Sequence, residues 1–192
     1  VFATYYPDRS FATDDYEEDY TLNRFFATSE IDTLIDTVES RYTTFARGDT
    51  SDQSLRASRK HRAFGGFSMG ATTTWDVFAL RPQYFYGYMP MAGESWIGRE
   101  EDADSPRIAE LVTAGVERAH YGPRDFLILA SVGSEDPALW DMTPQIDELR
   151  EDYPDVMTED SLQLWIDDGE THSMTSIANQ VEHNLPLLFP GK

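Results

Sequence analysis

The sequence predicts an α/β fold, a mostly parallel sheet with helices on both faces. Two observations point to it. Short apolar runs alternate with amphipathic segments about five times along the chain, and such alternation implies parallel strands joined by covering helices. One run, residues 126–132, is apolar without a break, as a strand buried on both faces requires. At 192 residues the chain fits one domain of ordinary size, large enough to bury a sizeable core. No internal repeat or low-complexity tract divides it.

Each element has its own signal. Residues 1–5 read as a strand end. Residues 7–23 are polar, acidic and tyrosine-rich, and read as a surface loop. A helix is expected to open at Ser29, a candidate N-cap with Asp32 in the first turn. Ile31, Leu34, Ile35, Val38 and Tyr42 then fall on one face at helical spacing. Residues 48–59 form a polar connection with room for a short helix. Residues 62–67 read as a strand, 69–80 as a helix and 84–91 as an aromatic-rich strand. Ser105 and Pro106 are expected to start the next helix, which carries Ile108, Leu111 and Val112. After the strand at 126–132, Thr143 and Pro144 open a helix through Leu149. Residues 162–166 form the last strand and 173–184 the closing helix.

Composition narrows the partners. Acidic residues outnumber basic ones 35 to 15, for a formal charge of −20. Such a surface repels polyanions, so nucleic acid and anionic membranes are excluded as partners, while neutral sugars and esters are compatible. There is no cysteine, which excludes disulfides, thiolate metal sites and a cysteine nucleophile. No apolar run is long enough to span a bilayer.

The strongest local signal is Gly66-Phe67-Ser68-Met69-Gly70. It matches G-x-S-x-G between a strand and a helix, the turn that exposes a nucleophilic serine. The glycines let neighbouring backbone pass without a Cβ clash. Ser68 then stands at a helix N-terminus, where developing negative charge is favoured. The Met69 N–H would supply an oxyanion donor.

A serine nucleophile needs a base and a group to orient it. Of four histidines, His61 and His120 lie far from a late strand end, and His183 falls inside the closing helix. His172 follows the last strand directly, where open α/β sheets hold their active sites. The acid should follow the preceding strand, and both Glu135 and Asp136 qualify by chemistry. Asp167, Asp168 and Glu170 are weaker candidates because they share the histidine's own loop.

These segments, taken together, resemble the feruloyl esterase and esterase-D-like branch of the α/β-hydrolases, carbohydrate esterases that deacylate plant cell-wall xylan. The resemblance is carried by residues 58–71 and 73–75, by 89–96, by 133–136 with 142–146, and by 184–189. It implies an α/β-hydrolase fold and a triad of Ser68, Asp136 and His172. Asp136 is selected because the family's turn is Gly-Thr/Ser-x-Asp, which puts Glu135 on the variable position. The loop Gly169-Glu170-Thr171-His172-Ser173 departs from the family's Gly-x-His-Asp. The resemblance further implies no metal or organic cofactor, an extracellular location and a feruloylated xylan substrate. Trp96, Tyr5, Tyr6 and Trp140 are the aromatic candidates for an aryl-acid pocket. It also implies that residues 1–192 are the C-terminal part of one domain, beginning at about its fourth strand. A missing N-terminal segment or another chain would then complete the fold and supply the second oxyanion donor. The alternatives are an acetyl or small-molecule (thio)esterase, and a non-catalytic carbohydrate-binding relic.

Overall fold

The structure, a computed structural model, describes residues 1, 3 and 20–189, the side chain of Glu100 excepted. Tyr5, Tyr6 and most of the loop expected at residues 7–23 lie outside the described residues. Of the strand end expected at residues 1–5, only Val1 and Ala3 are described. Neither lies in a strand, and Val1 is exposed.

The described chain opens on one continuous helical run. Helix α1 (Tyr20–Phe25) passes through a π-helical turn (Phe26–Glu30) into α2 (Ile31–Arg41), with helical backbone at both junctions. Two expectations are corrected here. Residues 20–23 are helical and not loop, and Ser29 lies inside the run and caps nothing. The reason is burial: Tyr20, Asn23, Phe26, Ala27, Ile31 and Ile35 are all buried. The inward stripe therefore begins eleven residues before Ile31.

A short helix, α3 (Asp52–Ala57), follows, capped by the Ser51 hydroxyl, which accepts from the Ser54 N–H. Then strand and helix alternate: β1 (Ala63–Phe67), α4 (Met69–Leu80), β2 (Gly87–Met91), α5 (Ser105–Arg118), β3 (Leu127–Gly133), α6 (Leu139–Asp152), β4 (Leu162–Asp167) and α7 (Met174–Leu188). The cap of α5 is Asp104 and not Ser105; its carboxylate accepts from the Arg107 N–H at 3.1 Å. Helix α6 starts at Leu139, four residues before the expected Thr143, so Pro144 lies inside it. The early turn closes without Pro144, as the Met142 N–H donates to the Ala138 carbonyl at 2.9 Å. The missing proline donor then costs one bond near the helix start.

The four strands form a parallel sheet in the order β1-β2-β3-β4. Alternate residues face opposite sides. Tyr88, Ile128, Ala130, Val132 and Leu162 join the main core with α4, α5 and α6, while Met89, Met91 and Leu129 pack against Leu188 of α7. Helices thus cover both faces, as expected. Among the described residues β1 is an edge strand, flanked by an apolar cavity of about 1050 Å³ that includes Ile35, Phe64, Val181 and Leu185. Among these residues, too, no helix is long and apolar enough to cross a membrane.

Candidate active site

The site is built at the carboxyl edge of the sheet, because parallel strands deliver all their following loops to one edge. Only Ser68 separates β1 from α4. Its backbone sits at φ 58°, ψ −119°, a region that costs a non-glycine residue on the order of 1–3 kcal/mol and marks functional positions. Strand and helix touch at this corner. A Cβ on Gly66 would fall 2.6 Å from the Gly70 carbonyl carbon and oxygen, so the two flanking glycines answer to each other across the turn. The corner is pinned by the Ser68 N–H donating to the Met91 carbonyl at 2.8 Å. Met69 is the first residue of α4, so its N–H is one of the first-turn donors that a helix leaves without an internal acceptor.

The loops after β3 and β4 meet. His172 Nδ1 lies 2.8 and 3.0 Å from the two oxygens of Asp136. An ionised carboxylate only accepts, so Nδ1 carries the proton and Nε2 is left as the basic nitrogen. The Asp136 side chain is fully buried, and its Oδ1 also accepts from the Ala138 N–H at 2.9 Å. Glu135, by contrast, is exposed, and its N–H donates to the Glu170 carbonyl. Asp168 is exposed, and Glu170 accepts from the Ser173 hydroxyl at 3.5 Å. Burial therefore separates the two neighbouring carboxylates that chemistry alone left open. The imidazole of His172 packs against the ring of Phe67, centroids 4.5 Å apart, directly before Ser68 in the chain. The other ring-stacked histidines serve packing: His183 lies flat on Trp165 and His61 on Phe45.

The loops that carry Asp136 and His172 are tied together. The Ser134 N–H donates to the Asp167 carbonyl and the Glu135 N–H to the Glu170 carbonyl, both at 2.9 Å. The Gly169 N–H donates to the Ser134 hydroxyl at 2.8 Å. Gly133 is pressed so closely that a Cβ there would stand 2.2 Å from the Glu170 oxygen.

Trp96 and Trp140 line a single cleft of about 700 Å³ together with Glu94, Arg99, Asp141 and Gln145. Trp96 is half-buried: its Nε1 donates to Glu94, the Arg99 guanidinium lies 4.4 Å over its ring, and Tyr20 meets it edge-on at 5.9 Å. Trp140 is 78% exposed. Among the described residues no group of three or more His, Asp or Glu side chains is placed to hold a metal ion.

Two features near the site escaped sequence reasoning. The Ser95 N–H donates to Gln145 Oε1 at 2.6 Å, joining both walls of the cleft across 50 residues. Behind α4, Tyr20 donates to Asp76 Oδ1 at 3.2 Å. Burial raises Asp76 to about 7, with Arg24 and the Tyr20 hydrogen bond working against the rise, and it pushes the Tyr20 hydroxyl well above its ordinary range. The signal for this pair was present, since Asp76 is the one charged residue in α4, flanked by Trp75 and Val77.

No family model matches the chain. Over 160 residues, 81% of its length, the chain is 32% identical to Endo-1,4-beta-xylanase Y of Acetivibrio thermocellus, of which it spans 14%. Among solved structures it is similar to a serine-to-alanine mutant of the feruloyl esterase module from Clostridium thermocellum, complexed with sinapinate. That match has a TM-score of 0.78 at 31% identity and covers 85% of this chain and 58% of the module. A solved structure designated FAE matches with a TM-score of 0.73 at 32% identity, covering 85% of this chain and 56% of the other. The chain thus spans a little over half of each solved relative and a small part of the xylanase. The expected resemblance to feruloyl esterases and the expected α/β-hydrolase fold are both borne out by these likenesses.

Proposed function

We propose that the protein is a serine carboxylic-ester hydrolase that removes feruloyl, or closely related hydroxycinnamoyl, groups from xylan. The observation that carries this reading is the buried Asp136 carboxylate on His172 Nδ1, beside the corner that ends in Ser68. Similarity to a feruloyl esterase module solved with sinapinate supports the acyl class. Similarity to a xylanase supports the polymer.

In this mechanism Ser68 is the nucleophile. Nε2 of His172 takes its hydroxyl proton as Oγ attacks the ester carbonyl. Asp136 holds the imidazole in the required tautomer and stabilises the imidazolium. The Met69 N–H, at the positive end of α4, donates to the developing oxyanion. The protonated His172 then gives its proton to the departing sugar oxygen, leaving an acyl-enzyme on Ser68. Water, deprotonated by His172, releases the hydroxycinnamate. Trp96 forms an aromatic wall of the substrate cleft, with Tyr5 and Tyr6 as further candidates. The net charge of −20 suits a neutral polysaccharide, and an insoluble polymeric substrate calls for work outside the cell.

Two measurements test the reading. Ser68→Ala should fold normally and lose roughly three or more decades of kcat on methyl ferulate, and a serine-directed phosphonate should label Ser68 in the unaltered protein. Near-normal turnover in the variant would remove the main claim. The ratio of kcat/KM for methyl ferulate over a matched acetyl ester should clearly exceed one; a ratio favouring acetyl would make the protein an acetyl esterase. Absence of ester hydrolysis by the unaltered protein would leave a carbohydrate-binding relic.

A further inference from the structure

The cleft between Trp96 and Trp140 is lined by none of Ser68, Asp136 and His172, yet it opens beside them. Its first wall starts at Glu94, whose carbonyl accepts from the Thr72 hydroxyl at 3.3 Å, one turn into α4 from Ser68. Its second wall is the start of α6, three residues after Asp136. We infer that this cleft is a glycan subsite, which holds the neutral pentose chain bearing the ester, with Trp140 as its stacking platform. The inference rests on the esterase reading and names what takes up the sugar side of the ester.

Trp140 supplies the first argument. An isolated exposed leucine needs no explanation, but a tryptophan left 78% exposed beside a concave site does. It stands on the first turn of α6, so a helix and not a loose loop sets its orientation. The C–H face of a pyranose is apolar and flat enough to cover an indole, while its hydroxyls stay at the rim. Trp96 cannot play the same part as freely, because Arg99 already lies over its ring.

The polar lining matches the rest of a sugar. Glu94 and Asp141 accept hydrogen bonds from hydroxyls. Gln145 commits its oxygen to the Ser95 N–H at 2.6 Å and so supports the wall and offers no group to the sugar. The Ser95–Gln145 bond also joins the two walls, so the cleft is formed before ligand arrives and little ordering is left for binding to cost. Its volume of about 700 Å³ lies within the range of ligand sites, about 300–1,000 Å³. Charge decides between glycans. Among the described residues, Glu94, Asp102 and Asp141 line the cleft against one cation, Arg99, so the local field disfavours uronic acids and favours neutral pentoses.

The test separates sugar binding from ester chemistry. Titration of unesterified xylohexaose into the full chain, followed by calorimetry, should give saturable binding, and Trp140→Ala should weaken it roughly tenfold or more. A hexameric oligogalacturonate should bind at least tenfold more weakly than xylohexaose at low salt. In kinetics, Trp140→Ala should lower kcat/KM on a feruloylated arabinoxylo-oligosaccharide at least fivefold more than on methyl ferulate, through KM. Absence of xylohexaose binding, equal affinity for the galacturonate, or equal kinetic losses on both esters would each overturn the subsite. Because the calorimetric arm needs no turnover, an inactive protein that still binds xylohexaose through Trp140 would refute the esterase reading and leave the glycan site standing.

Discussion

Replacing Asp76 with asparagine should change how the protein's stability depends on pH. The carboxyl is fully buried on α4 and accepts one hydrogen bond from Tyr20, while its Oδ2 has no hydrogen-bond partner among the described residues. Burial raises it from 3.8 to about 7 in the folded state. A raised acid means that the native protein holds its proton more tightly than the unfolded chain does. The contribution is therefore fully present below about pH 4 and is lost progressively as pH rises to 7, where the native group ionises as well. Three pH units at 1.36 kcal/mol each set the loss at about 4 kcal/mol. Asparagine keeps an oxygen for Tyr20 and does not titrate. Its extra N–H group adds a pH-independent penalty of about 1–3 kcal/mol if unpaired. Urea unfolding of both proteins at steps from pH 4.5 to 8.5 isolates the effect. The stability of Asp76→Asn relative to the parent should climb by several kcal/mol across that range and level off above pH 7. A difference that stays flat would show that Asp76 is already ionised in the folded state, held by Arg24, and would refute the burial argument.

Asp136→Asn should leave the melting temperature nearly unchanged and lower kcat by about four decades, since an amide cannot fix the Nδ1-protonated tautomer. A loss under tenfold on methyl ferulate would show that Asp136 does not orient the base. Gly133→Ala brings a methyl group to 2.2 Å from the Glu170 carbonyl oxygen, so it should cost about 1–3 kcal/mol of stability and depress kcat further than that destabilisation explains, because the acid and base loops must part. Unchanged kcat with a lowered melting temperature would show that the loops shift without disturbing Asp136 and His172.

What the sequence revealed follows from the range of each interaction. The corner at Ser68 was legible because strand, glycines and helix are contiguous in the chain. The run of α1 into α2 was not, since a stretch of sequence rich in Asp, Glu and Tyr precedes it and hides the helical spacing of Tyr20, Asn23 and Phe26. Asp136 and Glu135 could not be separated by chemistry, being adjacent carboxylates in one turn; burial distinguishes them, and burial depends on how α6 packs. The Ser95–Gln145 bond joins residues 50 apart, and nothing local in either segment announces it.

The hydrogen bonds between residues 133–135 and 167–170 have a consequence for how such an enzyme can diversify. The loops that carry Asp136 and His172 form one mechanical unit, so a change in either propagates to the other and is heavily constrained. The stretch 94–103 is not part of that unit. It touches the Ser68 corner through the Thr72–Glu94 hydrogen bond, next to the Trp75–Gly93 bond; Ser95 and Ile97 are buried and Gly98 sits at φ 82°, but the exposed Glu101 and Asp102 can change in size and charge. Substrate preference can then drift at those exposed positions without disturbing the Asp136–His172 pair, and libraries that randomise Glu101 and Asp102 should yield variants of altered ester preference at a far higher rate than libraries that randomise 133–136 or 167–172.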